Sequence, residues 1–86
     1  MHIRSVVVGS RVGLHARPAT TIAEAADEFD TDVLIALPGG EPVEANSALL
    51  IMSLGAGPGV TVEVSGEDEG AVVAIATLVE MDLDAP

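Results

Sequence analysis

Eighty-six residues without a cysteine exclude disulfide staples, iron–sulfur clusters, zinc fingers and thiol redox chemistry, and leave room for one domain over 1–86. Apolar residues make up 49% of the chain yet Phe29 is the sole aromatic, so the core must be built from Val, Ile, Leu, Met and Ala. Fourteen acids against three arginines and no lysine give a net charge of −11, which repels nucleic acid and anionic lipid and attracts basic protein surfaces.

The opening MHIRSVVVGS lacks the apolar run of about 7–15 residues that a signal peptide needs. No stretch approaches the ~20 apolar residues of a membrane span. The expectation is a cytoplasmic protein with no membrane insertion.

Ile3 to Val8 is β-branched, is bounded by Gly9 and predicts a first strand. After the loop Gly9 to Leu14, residues His15 to Glu28 place Ala19, Ile22 and Ala26 at helical spacing, with Phe29 beyond. This is an amphipathic helix that packs through small side chains. Asp32 to Leu37 predicts a second strand, Pro38-Gly39-Gly40 a tight turn, and Glu41 to Val43 a short returning strand. Asn46 and Ser47 stand before Ala48 to Met52 as polar caps stand before a short helix, and Gly55, Gly57, Pro58 and Gly59 end it.

Val60, Val62 and Val64 alternate with Thr61, Glu63 and Ser65 in the clearest half-buried strand of the chain. An acidic turn follows, then a helix from Ala71 to Met81 with Val72, Ile75, Val79 and Leu83 along one stripe, and a tail from Asp82 to Pro86 that should fray. The order β-α-β-β-α-β-α makes an α+β fold. Half-wet strands call for an antiparallel sheet with its helices on one face.

The chemistry concentrates in Gly13-Leu14-His15-Ala16-Arg17-Pro18-Ala19. Pro18 has no N–H to donate and belongs in a first helical turn, which puts His15 at or beside the N-cap and Arg17 within that turn. Free backbone N–H groups and the positive end of the helix dipole then face His15. They favour a neutral nucleophilic imidazole and would receive phosphoryl oxygens. Arg17 adds a planar fork that matches phosphate. By spacing alone, the plainer reading of a capping histidine and a solvated arginine leads.

The resemblance reverses that order. This segment is similar to the active-site motif of HPr, the histidine-containing phosphocarrier of the phosphoenolpyruvate:sugar phosphotransferase system. Asn46-Ser47 through Met52-Ser53-Leu54-Gly55 resembles the same family's regulatory-serine helix and the loop after it. Chain length and element order agree too. The resemblance implies an HPr-like open-faced sandwich, a four-stranded antiparallel sheet with three helices on one face. It implies that Enzyme I phosphorylates His15 on Nδ1, that Arg17 steadies the phosphoryl group, that Ala16 contributes a backbone N–H and that Pro18 shapes the first turn. Enzyme IIA-type proteins would take the group on, docking on an apolar patch of Ala48, Leu49, Met52 and Leu54.

Ser47 matches the serine that an HPr kinase modifies in many members, although a helix cap worth about 1 kcal/mol is a sufficient role for it. Two departures from the family pattern concern partners. Glu24, Asp27 and Leu50 stand where basic residues are common, and Val12 replaces a frequent Asn or Ser.

No cofactor or metal is expected. His2 lies near the terminus without companion ligands, and two histidines lacking a third ligand make a poor metal site. Gly55-Ala56-Gly57-Pro58-Gly59 lacks phosphate-loop spacing and reads as turn chemistry. Glu67, Asp68 and Glu69 read as a solvated turn, and Ser5, Ser10 and Ser53 have no base beside them. The chain is thus expected to be a monomeric carrier rather than an enzyme. The alternative is an HPr-like regulatory or ligand-binding module outside the sugar relay, which would have no need of the His15–Arg17–Pro18 cluster.

Overall fold

A computed structural model describes residues 1–83. In chain order these form β1 (His2–Val7), α1 (Ala16–Asp27), β2 (Val33–Ala36), β3 (Val43–Glu44), α2 (Ala48–Ser53), β4 (Thr61–Gly66) and α3 (Glu69–Glu80). The strands make one sheet in the order β1-β4-β2-β3, with every pair antiparallel. This is the β-α-β-β-α-β-α arrangement expected from the sequence.

Period-two patterning explains which face is covered. In β4, Val62 and Val64 are fully buried while Thr61 is exposed and Glu63 and Ser65 are half-buried. Direct cross-strand partners share a face. Val62 therefore lies beside Val6 of β1, and Val64 lies between Arg4 of β1 and Ile35 of β2. The helices close over that side: Ile22 and Ala26 of α1 and Val72, Ile75 and Val79 of α3 join the same apolar cluster. Ala19, Ala23 and Ala26 let α1 approach closely enough to touch both α2 and α3. The other face of the sheet is open. β1, with a neighbour on one side only, keeps Ile3 at 65% and Val7 at 51% exposure there.

Local chemistry moved several element ends. β3 begins at Val43 rather than Glu41 because Pro42 has no N–H for the ladder. α3 begins two residues before Ala71, since the acids read as a solvated turn do structural work: the Asp68 carboxylate accepts from Gly70 N–H at 2.9 Å and Glu69 sits in the first turn.

His2 is exposed but not frayed, being paired with Gly66 as the first residue of β1. The expected fraying of the tail is corrected for two residues. Asp82 meets Arg11 at 3.2 Å, and Leu83 packs partly against the core. Residues 84–86 of that tail lie outside the described residues. No helix among the described residues is long and apolar enough to cross a membrane.

Candidate functional site

The chain reaches His15 through a loop tied at each step. Beyond β1, Val8 donates its N–H to the Val60 carbonyl at 2.9 Å and accepts from Gly59 N–H at 3.0 Å. Ser10, set aside by sequence for want of a catalytic base, is the buried polar residue of the core at 1% exposure. Its carbonyl accepts from Gly13 N–H at 3.1 Å and its Oγ accepts from Val12 N–H at 3.3 Å, which closes residues 10–13 into a turn. Leu14 is buried, and its N–H donates to the Ala56 carbonyl at 2.9 Å.

His15 is the N-cap of α1, with extended backbone at φ −126° and ψ 163°. Its exposed side chain makes no capping hydrogen bond, so the ring is uncommitted and faces solvent at the start of the helix. The first-turn N–H groups that a capping side chain would otherwise take remain directed at this end. Ala16, the first helical residue, has φ 48° and is the one non-glycine with positive φ among the described residues. An L-residue held there costs about 1–2 kcal/mol. Nothing in the composition of the motif signals this; Ala16 was expected only to offer its N–H.

Arg17 is exposed in the first turn, which contains no acid, and makes no ion pair among the described residues. Arg11, by contrast, is engaged with Asp82. Pro18 is buried within the same turn, its ring filling space where an N–H is not required. An uncommitted imidazole and an uncommitted guanidinium thus share one helix end whose backbone donors favour an anion.

α2 carries the second predicted set. Ser47 is its N-cap, its Oγ accepting from Leu50 N–H at 3.2 Å, as the capping reading required. Ile51 is fully buried and anchors the helix, while Leu49 is 75% exposed. Ala48, Met52 and Leu54 are half-buried against the core, so Leu49 presents most of the predicted docking surface. Leu50, which the patch as read from sequence did not include, adds apolar exposure of 39%. A helix of six residues that turns Ile51, Ala48 and Met52 toward the core leaves Leu49 and Leu50 outside, and this short periodicity was the available signal for Leu50.

A family model described as the PTS HPr component phosphorylation site matches residues 3–81. The chain belongs to the HPr family. It is 40% identical over 78 residues to the phosphocarrier protein HPr of Streptomyces coelicolor, covering 91% of this chain and 84% of that one. Among solved structures it is similar to HPr-C-His from Thermoanaerobacter tengcongensis, with a TM-score of 0.88, 30% identity and coverage of 100% and 99%. It is likewise similar to HPr of Bacillus anthracis, with a TM-score of 0.84, 34% identity and coverage of 91% and 95%. The four-stranded sheet with three helices is therefore the HPr fold, and the family is that of the phosphocarriers of the phosphotransferase system.

His15 stands at the exposed surface of the fold. Two surface cavities lie elsewhere: one of about 60 Å³ where Asp27 and Phe29 meet Val33 and Asn46, and a wider one of about 320 Å³ between α1 and α2. Neither is lined by His15. The described residues contain no group of three or more His, Asp or Glu side chains able to hold a metal.

Proposed function

We propose that this HPr-family chain accepts a phosphoryl group from phosphoenolpyruvate-charged Enzyme I on Nδ1 of His15 and passes it to Enzyme IIA-type proteins for sugar uptake and phosphorylation. The observation that carries this reading is the His15 ring, exposed at the N-cap of α1 and without a side-chain hydrogen bond among the described residues. The Nδ1 lone pair forms the P–N bond as the bond to the donor breaks, and Nε2 keeps its hydrogen. The second transfer is the same displacement with the carrier as donor.

The phosphoryl oxygens gain the first-turn N–H groups, including that of Ala16, and the Arg17 guanidinium, while Pro18 keeps the turn in shape. The chain completes no turnover alone. It acts as a monomeric cytoplasmic co-substrate of phosphotransferases, which dock on Leu49 together with Ala48, Met52 and Leu54. Transfer of the group between proteins explains why the reacting atom stands on a surface instead of in a cleft.

Incubation with phosphoenolpyruvate and Enzyme I, read by intact mass, tests the proposal. The expected result is an acid-labile phosphoryl adduct on the wild-type chain and none on His15→Ala. No adduct, with the same Enzyme I shown active on another HPr, overturns the relay and favours a regulatory module that keeps the fold. Ser47 is proposed as a second, regulatory phosphorylation site for an HPr kinase. A kinase active with ATP on another HPr that leaves Ser47 unlabelled removes that assignment.

A further inference from the structure

Gly55-Ala56-Gly57-Pro58-Gly59, which sequence reads as bare turn chemistry, sits directly against the segment that carries His15. Leu14 N–H donates to the Ala56 carbonyl at 2.9 Å, one residue before the acceptor. Gly13 has φ +75°, and a Cβ placed on it would lie 2.6 Å from that same carbonyl oxygen and 2.9 Å from Gly57 Cα. The two backbones therefore meet face to face, and only a glycine at 13 permits the approach. Ala56 is 1% exposed, and Leu14 beside it is equally buried. The far end of the loop is tied by Gly59 N–H to the Val8 carbonyl at 3.0 Å.

We infer that Gly13, Leu14 and Ala56 are positioning residues for phosphoryl transfer: the Ala56 carbonyl, reached through the missing Cβ of Gly13, sets where the His15 ring stands. This inference rests on the carrier reading. The His15 ring makes no capping hydrogen bond that would aim it, and the adjacent tertiary anchor on the N-terminal side is the Leu14–Ala56 bond. Transfer between two proteins demands alignment of the attacking nitrogen, and a displacement on the order of 1 Å costs up to roughly a hundredfold in rate.

Gly39 supplies the control. It also has φ +75° but nothing within 4 Å of its Cβ position, so Gly39→Ala imposes the same left-handed backbone without displacing a neighbour. Steady-state transfer from phosphoenolpyruvate through an Enzyme I shown active on another HPr is measured for wild type, Gly13→Ala and Gly39→Ala, with melting temperatures recorded alongside. The expected result is a kcat lower by at least roughly tenfold for Gly13→Ala with KM for the carrier within about twofold, and a Gly39→Ala variant close to wild type.

A purely structural role of Gly13 would lower the melting temperature of Gly13→Ala and leave this kcat against KM split absent. Should Gly13→Ala fail to fold, an amide-to-ester analogue at Leu14 replaces the N–H that donates to the Ala56 carbonyl with an oxygen that cannot donate, and is expected to lower kcat several-fold. Gly13→Ala matching Gly39→Ala, or an ester analogue as fast as wild type, overturns the inference. A wild type that acquires no phosphoryl group refutes the carrier reading instead.

Discussion

Replacing Ala16 with glycine should behave opposite to alanine-to-glycine changes elsewhere in the helices. Ala16 occupies φ 48°, where a Cβ costs about 1–2 kcal/mol and glycine costs nothing. Against that relief stands the greater backbone freedom of glycine in the unfolded chain, about 0.5–1 kcal/mol. The balance runs from neutral to a gain of about 1.5 kcal/mol. Ala74→Gly, within α3, lacks the relief and should lose about 1 kcal/mol.

For a domain of this size 1 kcal/mol corresponds to roughly 4–8 °C in Tm. Thermal unfolding followed by far-ultraviolet circular dichroism should therefore place Ala16→Gly at or above wild type and Ala74→Gly several degrees below it. Both values are read from cooperative two-state transitions. If Ala16→Gly loses as much as Ala74→Gly, Ala16 carries no backbone strain in solution.

Ile51→Ala should lose about 2–5 kcal/mol, because the side chain that anchors α2 is fully buried and leaves a cavity; urea titration measures it, and a loss below 1 kcal/mol refutes the anchoring role. Ser47→Ala should cost about 1 kcal/mol by orphaning Leu50 N–H, with faster amide exchange at Leu50 as its local mark. Gly9→Ala should destabilise by about 1–3 kcal/mol, since its Cβ would run into the Glu80 carbonyl where the loop after β1 meets the end of α3; an unchanged midpoint in urea refutes that contact. Arg11→Ala should change stability by less than about 1 kcal/mol despite its pair with Asp82, because the Arg11 side chain is exposed and Asp82 lies at the surface; a loss above 2 kcal/mol in the same titration contradicts this.

Element types and their order were legible in the sequence because they depend on near-neighbour periodicity. The Val62/Val64 alternation, the α1 stripe of Ala19, Ile22 and Ala26, and the punctuating glycines each act within a few residues. The placement of His15 at a helix start was legible for the same reason, since Pro18 limits where the first turn can lie.

The misplaced ends trace to contacts that a propensity scan does not weigh. Asp68 reaches forward to Gly70 N–H and starts α3 early, and Arg11 holds Asp82 across some seventy residues of chain. The burial of Ser10 and the exposure of Leu50 were not legible, because the loop and the short helix leave burial undetermined until the rest of the fold closes on them.

The sequence by itself determined the chemistry available at the helix start: an imidazole, a guanidinium and a proline spaced to share one turn. Only the tertiary structure decided that the imidazole stands free, that Ala16 enters the helix through left-handed backbone, and that a remote glycine-rich loop meets the chain at Gly13 and Leu14. A turn is dictated by residues adjacent in the chain. The approach of Ala56 to Leu14 joins segments 42 residues apart (56 − 14) and depends on the sheet that sets β1 beside β4.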